Sequence, residues 1–524
     1  MRARDVILAA VALLATGCPP PPTAAPPQPA ATPTPEVPDA PWRRTVSDAA
    51  GKEARFATKP VLLRNAKLFI GDGSVVERGH VLLRDGKIAS VGPGPGEAGD
   101  GVEIVDAGGR PVTPGLIDTH SHMGVYPSPR LGAHLDGNEM TTPVTPGVRT
   151  VDAVFVQDPD IQRAVAGGVT TVQILPGSGN LIGGRAVTLK LHPATASRAM
   201  HFPGAPDGLK MACGENPKRV YGERKQMPMT RMGNLAMQRT QFLNAKRLIL
   251  EWDQWREEER RRLEKDAEDR RDYARKKRQR DEKRQRCERG EIGRATCQEW
   301  RAEWKDEPVT EPEKSVAKLP PKRDLDLETL SGAIEGKILV HIHCYRADDM
   351  ANMLALADEM GFSVRSFHHA LEAYKMRGEL AQRTISVSTW ADWWGFKLEA
   401  YDGIQENLAL VSEAGGLAIV HSDSAEGIRR LNQEASKGMW AGRHAGIDVS
   451  DGEAIRWITK NAAWALGIEE RVGTLTAGKD ADVVLWSGDP LSVYTRADRV
   501  YIDGVLRHDA SAPSKPWSDF EAAP

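Results

Sequence analysis

Seven of the 13 histidines in this 524-residue chain fall into four short stretches: "GLIDTHSH" (His120, His122), "KILVHIH" (His341, His343), "FSVRSFHH" (His368, His369) and "GLAIVHSD" (His421, followed by Asp423). Each stretch ends an apolar run of strand-like length. Along a strand, successive side chains alternate between faces, so residues two apart leave on the same side, as in His120 with His122 and His421 with Asp423. Imidazole nitrogens and carboxylates are the donors that zinc, nickel, iron or manganese accept, with open positions left for water. A single histidine at a strand end usually serves packing or a hydrogen bond. Four such ends in a histidine-poor chain point to one shared centre.

The elements that must position these groups are legible as two textures. From Val61 to Val112 short alternating runs are broken by glycine ("VLLRNAKLFIGDG", "GHVLLRDGKIASVGPG"), and the same texture returns in "DADVVLWSGDP" and "RADRVYIDGVLRHD". Neither piece makes a convincing sheet alone, so the chain ends are expected to pair, at 58–113 and 471–510, in one small β domain. Between them, over 114–470, strand-like runs such as "GVTTVQIL", "RAVTLKL", "DGLKMAC" and "RTISVST" alternate with helix-like segments. That alternation predicts an α/β domain with a parallel sheet, and this many repeats favour its closure into a barrel. In such a barrel function sits at the C-terminal ends of the strands.

One segment breaks the pattern. Residues 240–320 contain "WREEERRRLEKDAEDRRDYARKKRQRDEKRQR", whose opposite charges three and four apart predict a long solvated helix inserted into the barrel. The basic run within it would suit docking to an anionic surface or an envelope partner. Overall, a net charge of −2 with 27% charged and 40% hydrophobic residues gives no steering toward nucleic acid. Residues 1–18 read as a secretory signal, with an apolar run too short to span a bilayer. Residues 19–57, rich in Pro and Ala, read as a linker, and 511–524 as a tail. Of the five cysteines, Cys287 and Cys297 are close enough in sequence to bridge a turn, and two free buried thiols are the alternative.

Taken together, "VTPGLIDTHSH", the later strand-end histidines, "HSD" and "GTLTAGKDADVVLW" resemble the amidohydrolase superfamily, in particular its imidazolonepropionase-like branch. "LLATGC" resembles a bacterial lipoprotein signal with Cys18 lipidated. The resemblance implies a distorted (β/α)8 TIM barrel beside a small β-sandwich made from both chain ends, and His120, His122, His343, His369 and Asp423 as ligands of one or two divalent ions, zinc first among them. It also implies a fourth-strand ligand, Glu215 in preference to a carboxylated Lys210. Asp423 would carry the catalytic proton, with His343 and His369 beside it. Asn180, Arg346, Asp392 and His421 are the candidate substrate contacts, although Arg346 has Asp348 and Asp349 nearby as structural partners.

The function expected is metal-dependent hydrolysis of a C–N bond in an amide, cyclic amide or small peptide-like substrate. A deaminase, an ester or lactone hydrolase on the same barrel, and a non-catalytic envelope scaffold acting through the charged arm are the rival readings. Expected partners are a small-molecule substrate, no nucleic acid, a membrane only through a lipid anchor, and a second copy of the chain. Export and anchoring at the envelope complete the expectation.

Overall fold

The computed structural model describes residues 37–43 and 58–512, so the proposed signal, Cys18, most of the linker and the tail beyond 512 lie outside the described residues. The first alternating segment forms β1 (Val61–Phe69), β2 (Val75–Arg84), β3 (Lys87–Pro93), β4 (Glu103–Asp106) and β5 (Pro111–Pro114). The chain then runs through β6 (Leu116–Ser121), β7 (Val169–Ile174), β8 (Ile182–Lys190), β9 (Gly208–Ala212), β10 (Leu339–Cys344), β11 (Val364–His369), β12 (Ser386–Thr389) and β13 (Leu417–Val420). It finishes with β14 (Val483–Trp486), β15 (Ala497–Ile502) and β16 (Val505–Asp509).

β1 to β5 and β14 to β16 make one eight-stranded sheet, joined where β14 pairs antiparallel with β5. Each chain end therefore completes a sheet that the other leaves short. Leu63, Leu68, Val81, Val483 and Tyr501 from both ends meet in one buried cluster. Against the barrel, Lys190 at the end of β8 is buried and bonded to Asp480 at 2.7 Å, to Asp482 at 3.4 Å and to Asp503.

β6 to β13 form the second eight-stranded sheet, ordered as in the chain. β6, β7, β9 and β12 are buried at every residue, as expected of strands covered on both faces. The distortion of the barrel lies in one strand. β8 runs antiparallel to both β7 and β9. Only residues 175–181 separate β7 from β8, and a parallel crossover needs about a dozen or more, so the strand has to turn back. Gly115 lets β6 come down on β7, since a Cβ there would lie 2.2 Å from the Thr170 hydroxyl.

The two edges of this sheet, β6 and β13, meet without a ladder. Asp118 on β6 takes their place: its carboxylate accepts the backbone N–H groups of His120 and Ser422, each at 3.1 Å, and the Ser422 hydroxyl. The N–H of Asp423 adds a bond to the carbonyl of His120 at 3.0 Å. Behind the gap, Ile117 donates to the carbonyl of Ile458 and Asn461 donates to that of Ala418. The barrel is thus closed by side chains and the 458–461 segment.

The charged stretch is helical, in Arg231–Glu288 and Arg294–Asp306. Residues 258–317 form a compact unit of their own. Cys287 and Cys297 are disulfide-bonded across its turn, and Arg280 and Lys283 lie over the rings of Trp304 and Trp300. A second disulfide, Cys213–Cys344, joins the ends of the neighbouring strands β9 and β10 across 131 residues of sequence.

Candidate metal centre

The strand-end residues converge where the closing edges meet. His122 Nε2 lies 3.1 Å and His120 Nε2 3.6 Å from Asp423 Oδ1, and His369 Nε2 lies 4.0 Å from Asp423 Oδ2. His421 stacks on His120 at 5.0 Å between ring centroids and accepts the backbone N–H of His369 through Nε2. Two donor sets emerge among the described residues, His120 with His369 and His421, and His120 with His122 and Asp423, each with ligand atoms within 4.8 Å of one another. His120 belongs to both.

Local backbone makes this convergence possible. His369, Ala370 and Asp423 have φ of 69°, 40° and 47°, left-handed values that side-chain-bearing residues adopt only when their surroundings impose them. Strand alternation would send His368 and His369 to opposite faces. The positive φ at His369 ends the alternation, and both rings are buried in the barrel. His368 and His341 then form a layer beneath the centre.

That layer is hydrogen-bonded in series. His120 Nδ1 is 3.0 Å from His368 Nδ1, His368 Nε2 is 2.9 Å from His341 Nδ1, and His341 Nε2 is 3.4 Å from Gln173 Nε2. Each ring–ring contact needs one N–H and one lone pair, so one proton placement propagates through the series. With the His120 Nε2 lone pair kept for the centre, His120 donates to His368, His368 to His341, and His341 toward Gln173. Gln173 Oε1 is buried without a partner and becomes the acceptor once the amide is turned over.

Electrostatics suit ligation. Burial pushes His120, His343, His368 and His369 well below the usual imidazole range, and His341 and His421 to about 3, so the rings are neutral with lone pairs free. Burial also lowers Lys210 to about 7, with its Nζ 3.2 Å from His120 Nε2. Burial pushes Asp423 upward, but its contact with His122 and the electrostatic influence of His122, His421 and Lys210 outweigh it and hold the carboxylate below its ordinary value. Neutral imidazoles, an ionised aspartate and donor atoms 3.1–3.6 Å apart fit a divalent ion with ligand bonds of about 2.1 Å.

Other expected site residues are placed elsewhere. Glu215 heads the helix Glu215–Glu223 and its carboxylate pairs with Lys397 at 3.3 Å, so the fourth-strand group that reaches the centre is Lys210. His343 is buried beside His369, but its Nε2 contacts Asn216 Nδ2 at 3.2 Å and it joins neither donor set. Asn216 itself is held by Ser178 and Lys397. Asn180 spends its amide on Thr145, the Glu139 carbonyl and Tyr221, Arg346 is bonded twice to Asp348, and Asp392 pairs with Lys437. None of the three points at the centre. His421, expected to touch substrate, is in a donor set.

Sequence reasoning had missed Asp118, Gln173, Asn216 and the Cys213–Cys344 bridge. Asp118 was recoverable, because it stands two residues before His120 on the same strand face.

The solved amidohydrolase of Thermotoga maritima MSB8 is 32% identical, with a TM-score of 0.67, and the match covers 85% of this chain and 99% of that one. This chain belongs to the amidohydrolase family. Residues 332–508 match the Amidohydrolase family profile. Amidohydrolase tasK of Hapsidospora irregularis is 32% identical over 490 residues, 86% of this chain and 43% of the relative. An imidazolonepropionase of a Bradyrhizobium strain is 36% identical over 151 residues, 25% of this chain and 35% of that one. This amidohydrolase therefore spans less than half the length of the curated relatives it matches.

Proposed function

We propose that this amidohydrolase hydrolyses a C–N bond in an amide, cyclic amide or peptide-like small molecule, with one or two divalent ions, zinc first, at the centre described above. The observation that carries the reading is the meeting of His120, His122, His369, His421 and Asp423, drawn from three strands far apart in sequence, around His120 Nε2 and the Asp423 carboxylate. A divalent ion held there supplies Lewis acidity, polarising the scissile carbonyl and acidifying the attacking water. Lys210, as its carbamate with carbon dioxide, is the group that would bridge two ions. Its buried, readily deprotonated amine beside His120 supports that role.

The chain's own groups divide the remaining work. Asp423, ionised at neutral pH and a quarter exposed, accepts a proton from the attacking water as oxygen bonds to the carbonyl carbon. It returns that proton to the nitrogen as the C–N bond breaks, leaving an acid and an amine. His122, whose Nδ1 donates to the Leu175 carbonyl at 2.8 Å, is thereby left with its Nε2 lone pair turned toward the centre beside the Asp423 carboxylate. Exclusion of water falls to Tyr345 and Trp390, whose rings pack against His369 at 5.0 and 4.6 Å between centroids.

The test is Asp423→Asn with metal content measured alongside turnover of an amide panel. The reading expects metal retained and kcat reduced by about 10²–10⁴-fold. Turnover retained at the wild-type level would refute the role given to Asp423. An envelope location through a lipidated Cys18 belongs to the same proposal, supported by the leader's composition alone.

A further inference from the structure

The loop after β12 exposes more apolar surface than its position in the chain requires. Trp393, Trp394, Phe396, Leu398 and Tyr401 are 40%, 55%, 56%, 82% and 73% exposed within nine residues. Clustered exposed aromatics of this kind mark a binding surface. Here the cluster is continuous with the centre: Trp390 stacks on His369 at 4.6 Å and 21°, and Trp393 stacks on Trp390 at 4.9 Å and 18°. Trp390 is buried and pinned by its indole N–H to the Ser422 carbonyl at 2.9 Å, so the inner step of this ladder is fixed.

Beside the ladder lies a cavity of about 380 Å³ whose lining includes Trp390, Trp393 and His421 together with Arg430, Glu434 and Lys437. The charges in it are unequally satisfied. Lys437 bonds Asp392 at 2.8 Å and Glu434 at 2.9 Å, and Glu434 also takes the Ala391 N–H. Glu426, also on the lining, takes the Ser424 hydroxyl. Arg430 is exposed and has no ion pair among the described residues.

We propose that this cavity is the substrate's specificity pocket, and that it takes an amide bearing an aromatic or comparably flat apolar group, laid against Trp393 at the outer end of the ladder, together with a carboxylate that meets Arg430. The inference rests on the amide-hydrolase reading above for its reaction, and on the ring ladder and the unpaired guanidinium for its ligand class. A planar guanidinium matches a carboxylate with two parallel hydrogen bonds, and indole faces hold flat groups with little loss of side-chain freedom. A small neutral amide would use neither feature.

Binding is measured by quenching of tryptophan fluorescence with three ligands: N-acetylphenylalanine, its amide, and N-acetylalanine, with turnover of the same compounds followed separately by amine release. The expected result is that N-acetylphenylalanine binds about tenfold or more tightly than either other ligand. Trp393→Ala should abolish the preference over N-acetylalanine, and Arg430→Gln the preference over the amide, while each leaves the other preference standing. Equal binding of all three, or preferences that survive both substitutions, would overturn the proposal. Selective binding with no turnover of any amide by metal-loaded protein would sink the hydrolase reading and leave the pocket. Turnover without selectivity would do the reverse.

Discussion

Asp118→Asn isolates the clasp that closes the barrel. In the wild type, burial raises the Asp118 carboxyl to about 7, against bonds from the Ser422 hydroxyl and the His120 and Ser422 amides that favour the ionised form. An acid whose native value is raised binds more protons folded than unfolded between its two values. Its contribution to stability is therefore full below pH 3.8, declines as pH rises from 3.8 to about 7, and changes no further above that. Between pH 5 and pH 8 this single group removes about 2.5 kcal/mol of stability. Asparagine keeps Oδ1 for the two amides and asks Ser422 Oγ to accept where it had donated, at a cost of about 1 kcal/mol. Urea unfolding of metal-free protein at both pH values reads the difference. Relative to wild type, D118N should gain about 2.5 kcal/mol on going from pH 5 to pH 8. Parallel pH dependence in the two proteins would refute the assignment of this titration to Asp118.

Three further outcomes are expected. His341→Leu interrupts the series from Gln173 to His120, and chelator competition should show zinc affinity lower by about 10–100-fold, with His341→Gln recovering part of it; unchanged affinity in the leucine variant would remove the series from the metal centre's support. Lys190→Met leaves Asp480, Asp482 and Asp503 facing one another without a cation, and denaturant unfolding should show a loss of about 3–5 kcal/mol that is larger at pH 8 than at pH 5. Lys210→Met removes the amine beside His120, and the ¹³C carbamate signal seen with labelled bicarbonate in the metal-loaded wild type should vanish; a persistent signal would place the carbamate on another lysine.

Much of the fold was legible because period-2 alternation and glycine punctuation survive in both chain ends, which the β5–β14 ladder joins into one sheet. The reversal of β8 was also within reach, since the short 175–181 connector excludes a crossover. The site was legible as a set of strand ends, not as a ligand list. Strand parity separated His368 from His369, but a positive φ at His369 brings both inside, and no residue type in "FHHA" announces it. His343 and Glu215 stood in the expected sequence frame. The side chain of Asn216, in the first turn of the helix after β9, takes His343 Nε2, and that of Lys397, after β12, takes the Glu215 carboxylate. Spacing singled out Cys287 and Cys297 and was blind to Cys213 and Cys344, whose nearness comes from adjacent strands.

His120 is shared by both donor sets, so one substitution reaches the whole proposed centre. Metal analysis of wild type and His120→Ala, purified in parallel and refilled with zinc, tests the central claim most directly. The account expects one or two ions per wild-type chain and almost none in the variant. A variant that keeps its full complement of zinc, or a wild type that holds none after refilling, would contradict it.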